Sequence, residues 1–175
     1  MGEDNPQSTC PVCRGEAERE KYWQADGVSC KSIDCARCGS YTIEDSCIRR
    51  IKINGNSYLA SAVLREHSER DEPLHIDASN IYSFDGNALT SFLEKAKYFL
   101  RVIARKSGYP GQGVRLDDGV SYPLAYARDD EELLAIANYL QDSGRVTCDL
   151  DTEGFDCQLT GNGWVAIETE RASTN

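Results

Sequence analysis

Residues 10–39 read CPVCRGEAEREKYWQADGVSCKSIDCARCG, and the fold of the N-terminal part turns on the pairs at its ends, Cys10-Pro-Val-Cys13 and Cys35-Ala-Arg-Cys38. A two-residue spacer lets the backbone turn so that both sulfurs of a pair converge while its N–H groups point at them. Each pair can therefore supply one edge of a tetrahedron of thiolates, the arrangement zinc takes in structural sites. Residues 14–34 separate the pairs, a little more than the roughly 15–20 usual for such ribbons. We expect one structural Zn2+ on Cys10, Cys13, Cys35 and Cys38; the competing reading is a set of buried thiols.

Gly15 and Gly39 sit just past the pairs, where a sharp turn with positive φ is expected. Cys30 precedes Cys35 by five residues and can replace it as ligand in a less regular site. Cys47 reads as a packed small hydrophobe, and so do Cys148 and Cys157, which are expected reduced and unmetallated.

Working outward, Asp26-Gly27 is a hairpin signal between EREKYW and VSC, and Tyr41-Thr42-Ile43 alternates as a strand would. Residues 1–55 thus read as a ribbon of short strands. Ser57 to about His67 places Leu59, Ala62, Val63 and Leu64 at helical spacing, ending in a charged run before Pro73. His75-Ile76 and Ile81-Tyr82-Ser83-Phe84, followed by Asp85-Gly86, suggest a short strand or loop. Residues 56–87 are read as a helical connector.

From 88 to 175 the pattern changes. Ser91 and Glu94 form an S-x-x-E capping signature, and Phe92, Ala96, Phe99, Leu100 and Ile103 make one apolar stripe, predicting a helix that ends at Gly108. A turn-rich segment leads to a short strand at Tyr122 to Tyr126. Asp129 and Glu132 then cap a helix that buries Leu133, Ile136, Ala137 and Leu140 and ends near Gly144. Arg145 to Leu150 and Phe155 to Leu159 flank Asp151-Thr152-Glu153-Gly154, a hairpin that puts Val146, Cys148, Leu150, Phe155, Cys157 and Leu159 on one face. Thr160 caps a last helix carrying Trp164 and Ile167. Helix, short strand, helix, two-stranded wing and helix is the order of a winged-helix-like domain. The expected fold class is therefore α+β: an N-terminal four-cysteine zinc ribbon, a helical connector and a C-terminal winged-helix-like domain.

Composition narrows the function. The 175 residues carry 19 Lys and Arg against 29 Asp and Glu, a formal charge of −10, which repels phosphate and disfavours nucleic acid as a partner. No apolar run approaches a membrane span, no basic-then-apolar leader opens the chain, and cysteines in C-x-x-C pairs suit a reducing compartment; a cytoplasmic address without membrane contact is expected. The two histidines, His67 and His75, fall in polar contexts, and Gly108-Tyr109-Pro110-Gly111-Gln112-Gly113 matches no phosphate-binding loop, so no enzyme activity is expected. The carboxylate runs, Asp129 to Glu132 among them, read as solvated faces or helix starts, and the latter would meet phosphate at the usual recognition end of a winged helix.

Lys97, Arg101 and Arg105, with Lys106 nearby, form a basic stripe opposite the apolar side of their helix, and Arg49, Arg50 and Lys52 form a second cluster. Either set is a candidate contact for nucleic acid or an acidic partner; the bland reading is a solvated face.

CPVC, CARCGSY, LEKAKYFLRVIARKSGYPGQ and LTGNGWVAIE together resemble a bacterial module in which a zinc ribbon is fused to a winged-helix-like tail, over about residues 10–170. Such modules are found attached to, or encoded beside, antiphage-defence effectors, including TIR-type and retron nucleoside-deoxyribosyltransferase-like proteins. The resemblance implies Cys10, Cys13, Cys35 and Cys38 as metal ligands, carries over no catalytic residue, and implies an adaptor or regulatory role toward a protein partner.

Overall fold

The computed structural model describes residues 8–25, 27–51, 57–81, 89, 91–151 and 153–173. It is mixed α+β and divides into two compact units, Met1–Ala88 and Leu89–Asn175.

In the first unit β1 (Ser8–Thr9), β2 (Glu16–Ala25), β3 (Val28–Cys35) and β4 (Gly39–Glu44) run as an antiparallel meander. Helices α1 (Asp45–Ile51) and α2 (Ser57–Ser68) follow. Strand β5 (His75–Ile76) then adds parallel to β4, with Ile43 opposite Ile76. Alternation along β4 buries Tyr41 and Ile43, while α2 turns Leu59, Ala60, Ser61, Ala62 and Leu64 inward. One core gathers Ile33, Tyr41, Ile43, Leu64 and Ile76 with Cys10, Cys35, Cys38 and Cys47. The segment read as a connector therefore packs into the same core as the ribbon. Asp26, Lys52 and residues 82–88 lie outside the described residues.

The second unit runs α3 (Phe92–Lys106), β6 (Gly113–Asp117), a 3-10 turn at Tyr122–Ala125, α4 (Asp130–Asp142), β7 (Val146–Leu150), β8 (Gly154–Leu159) and α5 (Gly161–Ser173). The sheet order is β6-β8-β7, antiparallel throughout. Phe99, Leu100 and Ile103 of α3 meet Leu116, Leu133, Ile136, Leu140, Phe155, Leu159 and Ile167 in one core, with Trp164 packed at its edge. Gly154 sits at φ +148, and a Cβ there would come within 2.1 Å of the Leu116 carbonyl oxygen, so the approach of β8 to β6 depends on its missing side chain.

Four expectations for this unit need correction. The strand preceding α4 is β6, not Tyr122 to Tyr126; Pro123 lacks an N–H for a sheet ladder and fits the first turn of the 3-10 segment that forms there. Ser91 lies at the N-terminus of α3 in an extended conformation, but its side chain makes no capping bond. The hairpin register is the expected one, Val146 opposite Leu159, Cys148 opposite Cys157 and Leu150 opposite Phe155. Leu150, however, is 58% exposed, lying at the tip of a two-stranded projection. Finally, Cys148 and Cys157 are joined as a disulfide rather than reduced, because facing positions with Cα atoms 4.4 Å apart bring their sulfurs together.

The capping of α4 is as expected: the Asp129 carboxylate accepts the Glu132 N–H at 2.9 Å, and the Glu132 carboxylate accepts the Arg128 N–H at 2.8 Å. Glu132 also receives Lys95 of α3 at 2.7 Å, and that lysine is only 4% exposed. Burial pushes the Glu132 carboxyl up, but the Lys95 ammonium and the Arg128 N–H outweigh it and hold the group below its ordinary value.

A folded-state value below the unfolded one adds stability that is present above the unfolded carboxylate range, about 4.3, and is lost as pH falls through the folded value. Thermal melts over a pH series should therefore show the second unit weakening below about pH 4, less steeply in Glu132→Gln. Phe155→Ala should destabilise this unit by about 3–5 kcal/mol in denaturant titration, since Phe155 is 4% exposed within its core.

Candidate metal centre

Cys10 and Cys13 lie in the turn between β1 and β2, Cys35 ends β3, and Cys38 precedes β4. In the first turn the Cys10 N–H bonds the Gly15 carbonyl at 2.9 Å and the Arg14 N–H bonds the Cys10 carbonyl at 3.0 Å. Positive φ falls on Arg14, at 62°, and not on Gly15 as expected; in the second turn Gly39 takes it, at 71°.

These turns bring Cys10, Cys13, Cys35 and Cys38 together with all four sulfurs within 4.8 Å of one another. Among the described residues this is the one such group of metal-ligating side chains. Cys10 and Cys38 are 3.7 Å apart, sulfur to sulfur, and Cys13 and Cys35 are 3.5 Å apart. A tetrahedron with zinc–sulfur bonds near 2.3 Å has edges of about 3.8 Å, so the cluster has the size a metal ion needs. Cys10, Cys35 and Cys38 are buried and Cys13 half-buried. Cys30 and Cys47 are buried elsewhere in the unit, outside the cluster, so the regular pair supplies Cys35.

The electrostatics fit a cation. With no counter-charge the four thiols compete for protons. The Cys10 thiol is lowered to about 7, chiefly by a hydrogen bond from Cys13, and Cys35 is lowered chiefly by one from Cys10. Cys13 and Cys38 are pushed up, in each case chiefly through their hydrogen bonding with Cys10. A divalent ion favours the thiolate at every position and removes the competition.

Two contacts of the cluster escape sequence reasoning. The Tyr41 hydroxyl lies 3.1 Å from Cys10 Sγ, and Ser61 Oγ lies 3.3 Å from Cys38 Sγ. Tyr41 is 1% exposed and Ser61 is fully buried. Burial, and then the charge of Cys10, push the Tyr41 phenol far up, so it stays protonated and is able to donate to a Cys10 thiolate. The tyrosine of CARCGSY was legible as an inward strand position, but nothing in Ser61's helical context signals a sulfur neighbour.

Of the candidate contact residues, Lys97, Arg101 and Arg105 are exposed on α3, and Lys106 is half-buried. Arg101 faces Glu170 of α5 at 3.8 Å. Arg49 and Arg50 are exposed in the last turn of α1, where cations also complement the helix dipole. No helix among the described residues is long and apolar enough to cross a membrane. Comparison with protein-family models, curated proteins and solved structures yields no match to this chain.

The geometry predicts that metal analysis of purified protein finds one ion per chain. Cys13→Ser and Cys38→Ser should lose it, whereas Cys30→Ser should retain it; equal loss in all three would make Cys30 a ligand.

Proposed function

We propose that the chain is a non-catalytic zinc-containing adaptor or regulatory module that binds a protein partner, acting in the cytoplasm and, by its resemblance, within a bacterial antiphage defence system. The observation that carries the reading is the buried cluster of Cys10, Cys13, Cys35 and Cys38 within 4.8 Å. An all-thiolate set fills every position of a tetrahedral ion, which suits zinc holding a ribbon together and leaves no place for an activated water. The proposed organisation is a four-cysteine zinc ribbon at 1–55, a helical connector at 56–87 and a winged-helix-like domain at 88–175. The order α3, β6, 3-10 turn, α4, β7, β8 and the sheet order β6-β8-β7 support the last of these.

A protein is the better partner because α4, the helix before the wing, carries Asp130, Glu131, Glu132 and Asp142 and no Lys or Arg. Its outward positions include Glu131, Ala135, Asn138, Tyr139 and Asp142. The Tyr139 ring stands edge-on to Phe92 of α3, centroids 5.6 Å apart, and both are more than a third exposed. Aromatic anchors of this kind are common at the centre of protein interfaces, and carboxylates in a major groove oppose binding. The alternative is a winged-helix nucleic-acid binder or transcriptional regulator using the α3 stripe, favoured by the exposure of Lys97 and Arg105.

A pull-down with and without nuclease separates the two. On the protein reading, the captured partner survives nuclease, Tyr139→Ala weakens capture about tenfold or more, and duplex DNA binds weakly at physiological salt. Tight DNA binding that Lys97→Ala and Arg105→Ala weaken, with a salt slope reduced by about 1 for each lost phosphate contact, would favour the alternative.

A further inference from the structure

Helix α2 meets the second cysteine turn along one face. Ser61, Arg65 and Ser68 fall at i, i+4 and i+7, on one side of the helix. Ser61 Oγ contacts Cys38 Sγ at 3.3 Å, the Arg65 guanidinium donates to the Ala36 carbonyl, and the Ser40 N–H donates to Ser68 Oγ at 2.9 Å. Between them lies Gly39, with φ 71°, where an added Cβ would come within 2.3 Å of the Ser68 side chain. Helix and turn are thus matched from Ala36 to Ser40.

Among the described residues, three of the sulfurs meet a donor from outside the four thiols. Cys13 receives the Gly15 N–H at 3.4 Å, from the local backbone of the first turn. The other two donors come from outside the turns: Tyr41 of β4 for Cys10 and Ser61 of α2 for Cys38. When the sulfurs are thiolates they can only accept, so both hydroxyls donate. Four thiolates around a divalent ion leave two negative charges in a buried place, and hydrogen bonds to the sulfurs are what offset them. A serine in mid-helix ordinarily faces solvent or bonds the carbonyl one turn back; this one is buried against a sulfur.

We propose that Tyr41 and Ser61 complete the thiolate hydrogen-bond shell of the metal centre, and that α2 is therefore a metal-dependent element: bound metal holds it on the ribbon, and metal loss releases it. The proposal rests on the metal reading of the cluster. Without the ion, the Cys35–Cys38 turn keeps its place in the β3–β4 ladder but loses the bonds that draw its sulfurs toward Cys10 and Cys13, and with them the shape that Ser61, Arg65 and Ser68 fit, so the order conferred by metal extends beyond the ribbon to Ser68. Tyr41 and Ser61 are positioning residues, acting on the ion through Cys10 and Cys38.

The test uses the full chain. Hydrogen exchange of the zinc-loaded protein before and after chelation should show amides of 57–68 losing protection together with those of β4, while α3 and α4 keep theirs. In competition with a chromophoric chelator, Tyr41→Phe and Ser61→Ala should each weaken zinc binding roughly 10- to 100-fold. In cobalt-substituted protein both should shift the sulfur-to-cobalt charge-transfer band, a readout that loss of packing alone does not move. Each substitution removes a single oxygen, and Tyr41→Phe carries the test if Ser61→Ala fails to fold. Wild-type affinity and an unshifted band in Tyr41→Phe, or an α2 that stays protected when β4 opens, would overturn the proposal while leaving the metal reading intact. A folded chain that takes up neither zinc nor cobalt would overturn both.

Discussion

Four sulfurs brought within contact of one another are the constraint on which the N-terminal unit depends. The unit is small, and its largest fully buried side chains, Tyr41, Ile33, Ile43, Leu64 and Ile76, are arranged in the same cluster as Cys10, Cys35 and Cys38. A core of this size supplies little stability alone, and a metal that closes the loop from Cys13 to Cys35 adds binding free energy directly to folding. The meander of β1 to β4 places the two cysteine turns at the same end of the sheet because the β2–β3 hairpin returns the chain to its start, Ala17 opposite Cys35. Four thiolates around a divalent ion would leave a net negative charge there, and the hydroxyls of Tyr41 and Ser61 and the Gly15 N–H are placed to offset it.

Among its described residues the second unit has no such centre and is held by apolar packing. Its deeply buried charge, Lys95, is matched by Glu132, a residue that also accepts the Arg128 N–H at the start of α4. One carboxylate thus joins α3 to α4 and finishes a helix terminus. Asp129 caps the same helix and Asp130 accepts the Gly119 N–H at 3.0 Å. The acidic start of α4 is therefore largely engaged within the domain. Its charge still faces any polyanion that approaches, and this agrees with the −10 of the whole chain.

Much of this was legible without coordinates, where a local rule sufficed. The hairpin of β7 and β8 followed from period-two alternation around a glycine turn, since a slip by one residue would move Val146 and Phe155 off the core. The α3 stripe and the Asp129 cap followed from helical spacing and from the unpaired N–H groups of a helix start. Strand β6 was missed because Gly113-Val114-Arg115-Leu116-Asp117 has only two apolar side chains. It becomes a strand through pairing with β8, and Arg115 then reaches Asp117, Asp151 and Asp156. Leu150 belonged to the right face but lay too far along the wing to be covered.

The sequence by itself determined the ligand candidates, because thiol convergence in C-x-x-C is a property of four consecutive residues, and it determined the alternation that sets strand faces and helix stripes. Only the tertiary structure decided which cysteines join the cluster and which stay apart. Cys30 and Cys35 lie on one strand, and their difference depends on how the sheet presents each to the first turn. It also decided that Cys148 and Cys157 pair, that Gly39 must lack a side chain to admit Ser68, and that Tyr41 and Ser61 reach the sulfurs. Those last two contacts join residues 31 and 23 positions apart, and separations of that kind are set by packing, which no local pattern encodes.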